Sequence, residues 1–267
     1  MDLHLVQMAI AHGKPELNRA KVSALTAALK PGKPALLVLP ELFSTGYLEV
    51  SSPASMPPGL AEADRQFLSG LAERTGAWVA GSTVETGPAG ADGNLGYRNT
   101  SLLFGPDGSE QAAYRKVHPF SYGGEDRLFE RGREIVTFTI EGWVVQPSIC
   151  YDLRFPELYR AGSSRGVHLI LVQANWPEAR HLHWETLLRA RAIENQAYVA
   201  GVNCVGTQGE LRFAGGSVIF SPKGEIVAQG DASECLVRGK IDLETCKQWR
   251  KHFPALRDRL PGEFYAS

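Results

Sequence analysis

Residues 143–160, WVVQPSICYDLRFPELYR, hold an apolar run that ends at Cys150 and passes straight into a polar turn and a segment suited to a helix. The run reads as a buried strand. The thiol then stands where that strand hands over to Tyr151, Asp152 and Arg154. A free cysteine is by default a small hydrophobe of the core, but one at a strand exit meets both solvent and charge, as in a nucleophile elbow. Downstream, VHLILVQ (167–173) and AYVAGVN (197–203) read as further buried strands flanking the helical stretch ARHLHWETLLRARAIEN (179–195). Short apolar runs alternating with helical periodicity are the mark of a layered α/β architecture.

The first half repeats this rhythm. LHLVQMAI (3–10) reads as a strand, residues 15–30 as a helix through Leu17, Val22, Leu25 and Leu29, and ALLVL (35–39) as a second strand. A helix over about residues 60–75 stops at Gly76, a residue suited to a helix C-terminus, and AWVAGSTV (77–84) follows as a strand. The glycine-rich ETGPAGADGNLG (85–96) reads as a loop, and GPDGS (105–109) as the tight turn of an antiparallel pair, NTSLLF (99–104) with EQAAYR (110–115). A second half starts near residue 133, with EIVTFTI (134–140) turned back through Glu141-Gly142 onto WVVQPSIC. GGSVIF, EIVAQG and ECLVRGKI supply later strands, and LETCKQWRKHF a final helix. Hairpins and helical crossovers together predict mixed sheets with helices outside, and two similar halves predict two stacked sheets. No low-complexity linker separates the halves, so residues 1–267 are expected to form a single domain.

A formal net charge of −1 lacks the positive excess of a nucleic-acid-binding protein, which favours a small-molecule partner. No apolar stretch approaches the roughly 20 residues of a membrane-spanning helix, and MDLHLVQMAI carries Asp2 where a signal peptide is basic. A cytoplasmic protein, not bound to a membrane, is expected. Cys150, Cys204, Cys235 and Cys246 have no CxxC spacing, which argues against a disulfide framework or a structural zinc site. His181 and His183 stand two apart on a helix and do not share a face; with His118 they are read as structural, and no metal is expected. Arg189, Arg191 and Glu194 read as architectural ion pairs.

Glu41, after ALLVLP, and Lys116, after EQAAYR, also occupy strand exits. Singly, Glu41 is an ordinary loop acid, Lys116 a solvated charge and Cys150 a core thiol. Jointly they supply what thiol chemistry on a carbonyl needs. A base takes the thiol proton and returns it to a leaving group, and a cation stabilises the oxyanion.

The flanks of these three residues resemble the nitrilase superfamily of carbon-nitrogen hydrolases over nearly the whole chain. LVLPELFSTGY around Glu41, YRKVHPF around Lys116 and SICYDLRFPELYR around Cys150 match the family's glutamate, lysine and cysteine motifs in family order, and ANWPEARHLHWETLLRARAIENQAYVAGVN extends the match. The resemblance implies a four-layer αββα sandwich. It also implies Glu41 as general base, Lys116 as oxyanion-stabilising cation and Cys150 as nucleophile, with the Tyr151 backbone N–H as a second oxyanion donor. Glu125, seven residues before Gly132 in GEDRLFERG, fits the family's second glutamate and is expected to orient Lys116 or position the substrate amide. Pro119 departs from the leucine common in relatives and touches only the local loop path.

CYDLRFPE and ANWP look most like the ω-amidase branch, which hydrolyses the terminal amide of 2-oxo dicarboxylate monoamides such as 2-oxoglutaramate or 2-oxosuccinamate through a cysteine thioester. That chemistry needs no cofactor, and the family's habit of pairing through outer helices implies a homodimer. Tyr47, Phe120 and Trp176 are candidate pocket walls. For the substrate carboxylate the candidates are Arg154, Arg180 and Arg212, with Arg154 read first as pairing with Asp152 or Glu157 to hold the elbow. The rival readings are an amidase of deaminated glutathione or a carbamoyl-amide hydrolase, a non-catalytic binding protein on the same fold, and a redox-sensing thiol protein.

Overall fold

A computed structural model describes residues 1–30, 32, 34–47, 58–89 and 95–260. Along the chain, β1 (Asp2–Gln7), α1 (Pro15–Leu25), β2 (Ala35–Val38), α2 (Leu60–Thr75), β3 (Trp78–Ala89), β4 (Leu95–Phe104) and β5 (Glu110–Arg115) make the first half. The second half begins with β6 (Phe138–Ile140), β7 (Trp143–Ile149), α3 (Pro156–Ser163), β8 (Leu169–Gln173), α4 (His181–Asn195) and β9 (Tyr198–Val202). It ends with β10 (Val205–Gln208), β11 (Leu211–Ala214), β12 (Val218–Phe220), β13 (Ile226–Gln229), β14 (Cys235–Lys240) and α5 (Leu243–His252).

Two six-stranded mixed sheets result, ordered β14-β1-β2-β3-β4-β5 and β13-β12-β9-β8-β7-β6. At the centre of each are three parallel strands, β1-β2-β3 and β7-β8-β9, with antiparallel strands outside. Leu3, Leu5, Leu36 and Val38 of the first sheet meet Val145, Leu169, Leu171 and Ala200 of the second in one buried cluster, so the sheets stack face to face. The outer face of the first sheet packs Leu37 and Val79 against Val22 of α1 and Leu68 and Leu71 of α2. The outer face of the second packs Ile170 and Val199 against Leu158 of α3 and Trp184 and Leu188 of α4. The layers are therefore helix, sheet, sheet, helix, as the resemblance implied.

Local sequence explains several boundaries. Pro15 and Pro156 sit in the first turns of α1 and α3, where the missing N–H costs nothing. Gly76 ends α2 in the left-handed conformation and bonds back to Ala72. Glu141 and Gly142, at φ 42° and 87°, form the turn between β6 and β7. Pro147 in β7 lies beyond the reach of the short edge strand β6, whose pairing stops at Val145.

Several expectations need correction. The first helix ends at Leu25, not near residue 30, and β6 begins only at Phe138. The stretch 85–96 is mostly hairpin: β3 runs to Ala89 and β4 starts at Leu95, with residues 90–94 outside the described residues. The two-stranded ribbon β10-β11 was not foreseen. β14 crosses to the first sheet and pairs with β1, so the sheets do not divide strictly by halves.

Candidate active site

Chain direction gathers the site. Glu41 follows β2, Cys150 follows β7 and Asn175 follows β8, all at the carboxyl ends of central parallel strands, where open α/β sheets hold ligands. Two antiparallel steps, β3 to β4 and β4 to β5, restore the direction of β3 in β5, so Lys116 leaves at the same end.

Lys116 is buried between two carboxylates. Its Nζ donates to Glu41 Oε1 at 2.9 Å and to Glu125 Oε1 and Oε2 at 3.0 and 2.8 Å. Burial alone would lower the ammonium pKa, but Glu125 and Glu41 outweigh it and hold it well above its ordinary value. Glu41 Oε1 also accepts from Asn99 Nδ2 at 2.8 Å, and its Oε2 from the Asn175 backbone N–H at 3.0 Å. Asn175 Nδ2 donates to the Glu41 carbonyl at 2.8 Å, so the second sheet grips the glutamate of the first. Burial raises the Glu125 carboxyl pKa even with Lys116 beside it. Glu125 Oε2 accepts from the Phe120 N–H at 2.7 Å, which ties the loop after Lys116 to this carboxylate. Gly132 closes that loop with its N–H on the Lys116 carbonyl at 2.8 Å, and a Cβ there would run into the Arg115 carbonyl.

Cys150 adopts φ 47°, a conformation that L-residues other than glycine seldom take. Asp152 holds it there. Its Oδ2 accepts from the Ile149 N–H at 2.9 Å and the Tyr114 hydroxyl at 2.7 Å, while its Oδ1 accepts from the His118 N–H at 3.0 Å and faces His118 Nδ1 at 2.9 Å. The elbow is thus tied to β5 and to the loop that carries Lys116. From outside, Arg191 of α4 donates Nη2 to the Leu153 carbonyl at 2.9 Å and pairs with Glu194, an architectural role as expected. Burial pushes the Cys150 thiol pKa well above its ordinary value, Glu41 adds to the rise, and Lys116 opposes it.

Above the half-buried thiol opens a pocket of about 200 Å³, smaller than the ~300–1,000 Å³ of drug-sized ligand sites. Tyr47, Phe120, Tyr151 and Trp176 line it with Glu125 and Cys150, so the structure brings all these sequence candidates together. Glu41 and Lys116 stand behind Cys150 and Glu125. Tyr47 is positioned by the unforeseen ribbon, its N–H donating to Gln208 Oε1 at 2.9 Å. The expectation for Arg154 fails: Asp152 is taken by other partners, Glu157 makes no ion pair with Arg154, and Arg154 instead stacks on Trp176 at the pocket wall. Arg180 also lines the pocket, whereas Arg212 is exposed and paired with Glu178 at 3.3 Å. Sequence reasoning missed Asn99 and Asn175, whose only signal was an amide at the edge of an apolar run, and the structural role of Asp152. Among the described residues no group of three or more potential metal ligands gathers.

The carbon-nitrogen hydrolase family model matches residues 3–251. The chain belongs to that family. This carbon-nitrogen hydrolase is 40% identical over 265 residues to the 2-oxoglutaramate amidase of Paenarthrobacter nicotinovorans, covering 97% of this chain and 90% of that one. Its fold matches XC1258 of Xanthomonas campestris, a CN-hydrolase superfamily protein with an arsenic adduct in its active site, at TM-score 0.86 and 33% identity, covering 98% of this chain and 97% of that one. It also matches a variant of the Nesterenkonia sp. AN1 amidase showing covalent addition of the acetamide moiety of fluoroacetamide at the active-site cysteine. That match has TM-score 0.81 and 28% identity, with 97% of each chain covered. The enzyme is a hydrolase of amides on the ω-amidase-like side of the nitrilase superfamily.

Proposed function

We propose that the chain hydrolyses the terminal amide of a small 2-oxo dicarboxylate monoamide, 2-oxoglutaramate foremost, with Cys150 as nucleophile. Glu41 takes the thiol proton as Sγ attacks the amide carbon, and Lys116 with the Tyr151 N–H stabilises the oxyanion. Collapse returns that proton to the nitrogen, releases ammonia and leaves a thioester. Water, deprotonated by Glu41, then attacks the thioester, and the acid departs as the thiol is restored. Glu125 holds Lys116 in place between the two steps.

The observation that carries this reading is the Glu41–Lys116–Glu125 chain of buried charged bonds standing directly behind the Cys150 thiol. A thiol raised in pKa rests protonated, so it needs a base at the moment of attack. The 2-oxoglutaramate amidase relative and the small pocket favour a compact substrate of that kind. The same reading takes residues 1–267 as one domain acting in the cytoplasm as a homodimer, with a small-molecule partner and no nucleic acid. Ammonia release should be measured from 2-oxoglutaramate and from a panel including deaminated glutathione and carbamoyl amides. 2-Oxoglutaramate is expected to give the highest kcat/KM, and Cys150→Ala to abolish release while keeping the wild-type fold by circular dichroism. Substantial turnover by that variant refutes the nucleophile.

A further inference from the structure

Two cations in the pocket wall have no counterion among the described residues. Arg154, from the elbow turn, and Arg180, from the turn before α4, both line the space above Cys150. Among the described residues neither lies within 4.0 Å of a carboxylate oxygen. Asp152 is engaged by the elbow, Glu125 by Lys116, and Glu178 by Arg212. Aromatic faces hold both guanidinium groups in place. Arg154 Cζ lies 4.7 Å from the Trp176 ring centroid and 5.9 Å from that of Tyr151, and Arg180 Cζ lies 5.6 Å from Phe120 and 5.7 Å from Tyr122. A guanidinium stacked by its face keeps its N–H edge for a planar anion. The polar neighbour of the Arg154 tip is His183 Nδ1, at a long 3.4 to 3.5 Å.

The pocket is therefore polarised. Behind the thiol, among the described residues, two carboxylates, Glu41 and Glu125, share one cation, Lys116, so this end of the pocket is unfavourable to a further anion. Arg154 and Arg180 supply positive charge on the pocket wall. A substrate with a neutral carboxamide at one end and a carboxylate at the other fits this field in one orientation, amide toward Cys150. Reversed, its carboxylate would face Glu125, with Glu41 buried behind it.

We infer that Arg154 and Arg180 form a clamp for the carboxylate of the substrate's 2-oxo acid end, and that this clamp both selects anionic ω-amides and decides which end meets the thiol. The inference rests on the hydrolytic reading above and adds its specificity residues. Bidentate arginine–carboxylate bonds are the strong, directional kind suited to this task.

The test compares two amides on the full-length enzyme: 2-oxoglutaramate, and 4-oxopentanamide, which carries a methyl group in place of the carboxylate. The wild type is expected to favour 2-oxoglutaramate. In Arg154→Met and Arg180→Met, whose apolar chains keep the packing on the rings, the kcat/KM ratio between the two amides should fall about ten- to a hundredfold each. Most of that loss should appear in KM for the charged amide. Arg154→Lys should recover part of the ratio. If the wild type favours the charged amide but the methionine variants leave the ratio unchanged, the clamp is overturned and the hydrolytic reading survives. A wild type with no preference for the carboxylated amide overturns the clamp and the substrate assignment together.

Discussion

Asp152→Asn isolates the tie between the elbow and Lys116. The carboxylate is fully buried and is used on both sides, Oδ2 by the Ile149 N–H and the Tyr114 hydroxyl, Oδ1 by the His118 N–H and ring. An amide has one oxygen. Whichever way it turns, its NH2 faces one of two backbone donors, Ile149 N–H or His118 N–H, and that donor loses its acceptor. Tyr114 can rotate its hydroxyl to accept, but a backbone N–H has no such freedom. One buried unsatisfied donor costs about 1–3 kcal/mol, and each kcal/mol lowers Tm by about 2–4 °C in a domain of roughly this size. With the turn slackened, Cys150 is free to leave its positive φ, so kcat should fall at least about tenfold, since small misplacements of reacting groups are costly. KM should change less than kcat, because Tyr47, Phe120, Trp176 and Arg180 line the pocket from outside the elbow. Thermal unfolding by circular dichroism and steady-state ammonia release measure the two effects. A variant that melts with the wild type and keeps its kcat refutes the view that Asp152 positions the nucleophile.

Lys116→Met should lower kcat far more than it raises KM, since the charge acts chiefly as the oxyanion forms; a loss confined to KM contradicts that. The same variant leaves Glu41 and Glu125 buried without their cation, which should cost about 3–5 kcal/mol near neutral pH. Without Lys116 the Glu125 carboxyl, already raised by burial, rises further above its unfolded value. The stability it contributes is then full below the unfolded pKa and is lost as pH climbs through the folded one, so the variant should regain stability on acidification. Urea titrations across pH would expose the opposite slope. Alkylation of Cys150 by iodoacetamide should keep accelerating well past about pH 8.5, the midpoint of an unperturbed thiol, because burial and Glu41 hold the thiol pKa above that range. A rate that levels off below that point would mean a preformed thiolate and no need for Glu41 as base.

Much of this enzyme could be read along the chain because the signals are local. Apolar runs ending near Glu41 and Cys150 and the hairpin arm EQAAYR before Lys116 mark strand exits, Gly76 stops α2, and Glu141-Gly142 turns β6 onto β7. Periodicity reports burial, and two similar halves report two sheets. The short ribbon β10-β11 escaped because its burial pattern is too mixed for alternation to reveal it. The segment 85–96 misled because its glycines suggest a loop, whereas cross-strand bonds made with the other half of the hairpin carry β3 to Ala89.

The sequence by itself determined the strand and helix pattern and the stacking of two sheets, written in residue type and spacing, and through the family motifs around them it pointed to Glu41, Lys116, Glu125 and Cys150. Tertiary structure alone decided how those side chains are used. That Asp152 serves the elbow and leaves Arg154 to the pocket, that Asn99 and Asn175 grip Glu41, and that two carboxylates share Lys116 are all matters of distance between residues far apart in the chain. A charge takes its role from the nearest unsatisfied partner in space, and no local pattern encodes which partner that is.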